Sequence, residues 1–199
     1  TQSENIGGSL NQLIVAREAT GKWFMLIGDD DELILENFGK LLDYLRTVDE
    51  DDWILAGVAG PSGASGGERL LGNLVSGKYE SKSFRRILLR TGLYRFGFIG
   101  MHVFPSTLKL RFCSLSDEQV QSWPHLALLL THLYGSYFHV FSEPVVAQGA
   151  GGAALFHKAG DFVHINLRKM DVIHAAIKSI NDFRWFGYFL LLRELYSLR

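Results

Sequence analysis

Three consecutive carboxylates, Asp29-Asp30-Asp31, are the residues of this chain best suited to chemistry. They follow Gly28 and an apolar run, Trp23-Phe24-Met25-Leu26-Ile27. Adjacent carboxylates repel one another. Packed beside an apolar strand, they cost stability unless a cation or solvent relieves them. Mg²⁺ and Mn²⁺ prefer oxygen ligands; they take one or two carboxylates and complete their shell with substrate phosphates and water. A metal so held neutralises a diphosphate leaving group. The run therefore predicts a diphosphate and divalent-metal site. The alternative is a solvated acidic turn capping a helix that starts near Leu33, since carboxylates are favourable at a helix N-terminus.

Such a site needs elements to hold it. Ser9 to Ala19 has helical periodicity through Leu10, Leu13 and Ile14, and Thr20-Gly21 ends it. Trp23 to Ile27 predicts a strand covered on both faces, the pattern of a central strand. Leu33 to Leu45 predicts an amphipathic helix with Leu35, Phe38, Leu41, Leu42 and Leu45 on one stripe. An acidic turn at Asp49–Asp52 precedes a second apolar strand, Trp53 to Ala59. Further along, Ser83–Arg90 predicts a basic helix, Phe96–Phe104 a strand, and Val120–Tyr134 a helix. Phe138–Phe141 and Val145-Val146 predict short strands around a turn at Glu143-Pro144. Asp171–Leu198 is mostly helical, with breaks expected near Asn181-Asp182 and Gly187. The early helix–strand–helix–strand order predicts an α/β fold. A boundary near residue 155 divides a main domain, 1–155, from a helical C-terminal segment, 156–199.

Composition narrows the function classes. At 199 residues with 47% apolar residues, the chain can bury a proper core. Its formal charge of −1 argues against a nucleic-acid coat. One cysteine, Cys113, rules out an internal disulfide framework and paired-cysteine metal knuckles. No apolar run approaches the ~18–20 residues of a transmembrane helix. The nearest, Trp185 to Leu192, lies between Arg184 and Arg193. It is either a buried C-terminal helix or an aromatic-rich helix lying on a membrane surface or a partner.

A wider stretch carries a resemblance. Asn5-Ile6-Gly7-Gly8-Ser9-Leu10-Asn11 is followed by Ala19-Thr20-Gly21-Lys22, the apolar run, and Gly28-Asp29-Asp30-Asp31-Glu32-Leu33. Together they resemble family 2 glycosyltransferases of the GT-A fold, in particular the abequosyltransferase-like branch. The resemblance implies a GT-A-like (Rossmann-like) mixed sheet flanked by helices. It implies Asp30 as the direct ligand of Mg²⁺ or Mn²⁺. Asp29 would lie near the ribose or the metal's water shell, and Asp31 near the sugar and the metal. Asn5 and Gly7 match the turn that shapes the nucleotide-sugar pocket. Gly28 stands where many relatives carry an aspartate. The family's first strand and its base-reading aspartate would precede Asn5. The chain is thus expected to be N-terminally truncated by roughly two βα units, on the order of 70–80 residues.

Downstream, Ser122-Trp123-Pro124-His125-Leu126 and Glu143-Pro144-Val145-Val146 resemble the acceptor-side helix and the strand after it. Inverting relatives place a base there, because the acceptor hydroxyl must lose a proton as it attacks. Ser122-Trp123 occupies the usual Glu-Asp place, which leaves Asp117 or Glu118 as the expected base, with His125 nearby. The alternative for Asp117 and Glu118 is a helix cap with a first-turn acid. His157, after the glycine-rich 150–154 loop, matches a late metal-ligating histidine of the family; the alternative is a surface residue.

The resulting expectation is a hexosyltransferase-type enzyme, with a nucleotide-sugar donor and a glycan or lipid-linked acceptor, acting in polysaccharide biosynthesis. Its expected location is cytoplasmic, at the inner face of the membrane, with peripheral membrane contact and a homodimer as further candidates. A non-catalytic GT-A-like module that binds partners is the alternative. A haloacid-dehalogenase-type phosphatase fits less well: its motif wants DxDx(T/V), whereas Asp29-Asp30-Asp31-Glu32-Leu33 stands here, and Asp51-Asp52 precedes a strand instead of following one.

Overall fold

The computed structural model describes residues 8–60, 71, 74–115, 123–132, 137–149, 170–174, 176 and 184–196. Among the described residues, six strands form one mixed sheet: β1 (Trp23–Met25), β2 (Glu32–Leu33), β3 (Trp53–Ala59), β4 (Gly77–Glu80), β5 (His102–Pro105) and β6 (Tyr137–Ala147). Their order is β1-β5-β3-β6-β2, and β4 also pairs with β6. β3 and β6 are parallel, while β5 runs antiparallel to both β1 and β3. β1, β3 and β6 therefore point the same way. The helices bounded within the described residues include α1 (Gly8–Glu18), α2 (Leu35–Leu45), α3 (Ser81–Thr91), α4 (Lys109–Cys113), α5 (Pro124–His132) and α6 (Arg184–Tyr196).

Strand alternation sorts the apolar side chains onto two faces. Trp53 and Leu55 of β3, Phe104 of β5, and Phe138 and Val140 of β6 enter the larger core, under α1, α3, α4 and α5. Ile54, Ala56, Val103, Phe141 and Val145 face the other way and meet α2 through Leu41, Phe38 and Leu45. The result is a curled mixed sheet between helical layers, an α/β fold as expected. Val172, Ile173, Ala176 and Leu190 join the larger core, so the described part of the C-terminal segment shares the core of the main domain.

Three local expectations need correction. Trp23–Met25 lies at an edge of the described sheet, not at its centre, paired with β5. The apolar run reports coverage of both faces: Phe24 lies in the larger core, and Trp23 and Met25 lie against the smaller one. Face burial does not reveal strand order. Helix α2 starts at Leu35, because Glu32-Leu33 is a strand paired with Val146 and Ala147. Its stripe runs through Phe38, Leu41 and Leu45, whereas Leu35 is 76% exposed. Residues 93–101 form two short 3-10 turns, and the strand expected from Phe96 begins only at His102.

The turn expected at Glu143-Pro144 is instead an irregularity inside one long strand. The pairing of β3 with β6 jumps from Ala56–Phe141 to Gly57–Pro144 and then to Val58–Val146. A bulge is one of the few strand positions where proline is tolerated. Gly57 is required opposite it: an added Cβ would sit 2.5 Å from the Glu143 carbonyl oxygen. Gly187, an expected helix break, lies inside a continuous α6.

Candidate functional site at the carboxyl ends of the strands

Residues 26–31 carry the chain from β1, at one edge of the sheet, to β2, at the other. They pass the carboxyl ends of β3 and β6, the end at which open α/β sheets bind ligands. Gln148, just past β6, donates its amide to the Ala59 carbonyl at 2.9 Å. The turn itself is closed by the Asp31 amide donating to the Gly28 carbonyl at 3.2 Å, with Asp29 and Asp30 at its tip.

The three aspartates are not equivalent. Asp29 and Asp30 are exposed, and Asp31 is half-buried. Each oxygen of the Asp31 carboxylate accepts a backbone N–H: Oδ1 from Gly149 at 3.0 Å, and Oδ2 from Gly28 at 3.3 Å. Partial burial pushes the Asp31 carboxyl above the usual range against the lowering pull of the Gly149 amide; the charges of Asp30 and Asp29 push it further up. Two glycines permit this packing. An added Cβ at Gly28 would meet Asp31 Oδ2 at 2.7 Å and Asp30 Oδ1 at 3.0 Å. At Gly149 it would sit 1.7 Å from the Asp30 carbonyl oxygen.

This geometry decides against the helix-cap alternative for the aspartates. The N-cap of α2 is Ile34, with no side-chain cap, and a strand separates it from the acids. Among the described residues, no three His, Cys, Asp or Glu side chains gather around a point that a metal could occupy. Asp29 and Asp30, with exposed carboxylates beside an already crowded Asp31, suit a cation that takes one or two protein oxygens and leaves the rest of its shell to phosphate and water.

Asn5, Gly7, Asp117, Glu118 and His157 lie outside the described residues. His125, the remaining base candidate, is a core residue: it is 2% exposed and its Nε2 donates to the Gly97 carbonyl at 2.9 Å. Burial depresses its pKa to about 4 against the raising pull of the Gly97 carbonyl. Sequence reasoning missed Gly149. Its signal was the glycine-rich stretch around 149–152, which marks close backbone approach as well as flexibility.

A second polar cluster sits at the opposite, amino end of β3 and β6. Tyr44 of α2 donates its hydroxyl to His139 Nδ1 at 3.0 Å, and His139 Nε2–H donates to Asp52 Oδ2 at 3.1 Å. Lys78 of β4 reaches Asp52 at 3.0 Å and Asp49 at 3.1 Å. Burial lowers the His139 pKa, and Asp52 opposes that shift. The cluster ties α2, β4 and β6 together far from the aspartate turn. No protein-family model matches the chain, and no curated protein matches it.

Proposed function

We propose that the protein is a glycosyltransferase of GT-A type, transferring a sugar from a nucleoside-diphosphate sugar to a glycan or lipid-linked acceptor. The observation that carries this reading is the seating of the exposed Asp29 and Asp30 carboxylates on a turn that crosses the carboxyl ends of parallel strands. The resemblance of residues 5–33 to family 2 glycosyltransferases supports it independently.

On this reading Asp30 binds Mg²⁺ or Mn²⁺ directly, and Asp29 orients the ribose or a metal-bound water. When bound, the metal supplies Lewis-acid stabilisation of the departing diphosphate. Asp31 holds the turn, through Gly28 and Gly149, so that its neighbours face the donor. Asn5 and Gly7 shape the nucleotide pocket, Asp117 or Glu118 takes the acceptor proton, and His157 completes the metal's protein ligands.

The test is thermal. Mn²⁺ with UDP, GDP or CDP is titrated against the full-length protein. Binding to the folded state raises the midpoint; at a hundredfold excess over Kd the gain is about 2.7 kcal/mol. Asp30→Ala abolishes the gain. No shift with any metal–nucleotide pair rejects the transferase, and a shift that survives Asp30→Ala rejects the residue assignment.

A further inference from the structure

The C-terminal helix leaves an apolar face outside the core. In α6, Leu190 is fully buried, while Phe186 and Leu191 pack against the larger core. On the opposite side of the helix Trp185, Tyr188, Phe189 and Leu192 are 80%, 53%, 60% and 61% exposed. Their spacing of three and four residues makes one continuous stripe. A stripe of this size on a soluble surface marks an interaction site, not ordinary scatter.

A neighbouring helix supplies the complementary chemistry. α3 packs against α6, and both insert into the same core, α3 through Phe84 and Leu88. The two helices are therefore neighbours, each with one face in the core and the other exposed. On its outer face, α3 exposes Lys82, Arg86 and Arg90, spaced four residues apart along a single row. Arg193 lies within the last turn of α6. Cations thus flank a stripe that contains tryptophan, tyrosine and phenylalanine.

We propose that the outer faces of α3 and α6 form a docking surface for an anionic lipid bilayer. Tryptophan and tyrosine settle at the headgroup boundary, where one end of the ring is apolar and the other wet. A basic row adds attraction to anionic headgroups, and stable peripheral binding commonly needs two such contributions. α6, at 13 residues, is about 20 Å long and lies in the interface instead of crossing it. Among the described residues, no helix is long and apolar enough to cross a membrane. The exposed basic row of α3 complements anionic headgroups, which favours the bilayer as the occupant. The inference stands apart from the transferase reading and survives its failure.

The experiment is co-sedimentation of the full chain with equimolar phosphatidylcholine–phosphatidylglycerol vesicles and with phosphatidylcholine vesicles alone. The protein is expected to sediment with the anionic vesicles and to leave them as salt is raised. The triple variant Lys82→Glu, Arg86→Glu, Arg90→Glu and the double variant Trp185→Ser, Phe189→Ser are each expected to lose about tenfold or more in apparent affinity. A measurement without substitutions accompanies these: brominated phosphatidylcholine mixed into the anionic vesicles quenches tryptophan emission if Trp185 enters the bilayer. No sedimentation with anionic vesicles, equal binding to both vesicle types, binding undiminished in either variant, or unquenched emission overturns the proposal. So does a dimer in solution that Trp185→Ser, Phe189→Ser dissociates.

Discussion

Gly149 donates its amide to Asp31 Oδ1 at 3.0 Å across 118 residues of sequence. This bond joins the end of β6 to the aspartate turn, and the absence of a side chain at Gly149 allows the approach. Gly149→Ala places a carbon 1.7 Å from the Asp30 carbonyl oxygen, so the turn must shift. The expected cost is about 1–3 kcal/mol, read as a lower urea midpoint with an unchanged slope. Gly39→Ala is the contrast. Gly39 lies inside α2 with nothing within 4 Å of an added Cβ. That substitution is expected to stabilise by roughly 0.5–1 kcal/mol, since glycine is a poor helix former.

Gly57→Ala tests the irregularity in β6. Its added Cβ would meet two backbone carbonyl oxygens, at 2.5 Å from Glu143 and 2.6 Å from Ser142. Backbone cannot step aside as a flexible side chain can, and β3 is buried along its whole length. A loss on the order of 3 kcal/mol or more is expected. A variant as stable as the parent in urea would show that the close approach does not exist in solution.

Much of this fold was legible because its segments obey one period each. The fully buried strand Trp53–Ala59 is as expected to the residue, and α1 and α3 differ by a residue or two at their ends. The failures share a cause. Phe96–Phe104 and Trp23–Leu26 are apolar because they are largely buried, and burial does not distinguish a strand from a 3-10 turn, or an edge from a centre. At the site, three identical residues gave no sign of their division of labour. That division is set by Gly28 and by Gly149, whose proximity only the tertiary fold creates.

Acid sensitivity should come from the core histidines. Burial lowers the pKa of His125 and His132 to about 4, and it lowers His102 and His139 as well. A depressed histidine binds its proton more weakly when folded than when unfolded. Its stabilising effect is therefore complete above the ordinary value of 6.5 and is lost as pH falls from there towards 4. His125 and His132 each remove up to about 1.4 kcal/mol per pH unit in that window. Asp31, with its raised carboxyl, works the other way, favouring the fold at low pH and losing that contribution as pH rises. His132→Phe isolates the effect. Among the described residues neither ring nitrogen of His132 has a hydrogen-bond partner, and the ring packs against Trp53 and Phe138. The variant should be at least as stable at pH 7 and lose less stability between pH 6.5 and 5 in urea titrations. An unchanged pH slope would remove His132 from the account.

The unequal aspartates make the sharpest prediction about the site. If Asp30 holds the metal and Asp31 holds the turn, their alanine variants should fail differently. Asp30→Ala keeps both backbone bonds of Asp31, so the fold should retain its midpoint while the gain from Mn²⁺ and nucleoside diphosphate vanishes. For a chain of this length that gain is about 5–10 °C at a hundredfold excess over Kd. Asp31→Ala removes the acceptor of two N–H groups. It should cost about 1–2 kcal/mol of stability before any ligand is added. Ligand binding should weaken without disappearing, because the exposed carboxylates remain. Asp31→Asn keeps one carbonyl acceptor and should fall between parent and alanine in both measurements. Hydrogen exchange at the Gly149 amide separates the roles directly, rising in Asp31→Ala and unchanged in Asp30→Ala. If Asp31→Ala instead abolishes ligand binding while the Gly149 amide stays protected, Asp31 is a ligand, and the turn is held by something other than its carboxylate.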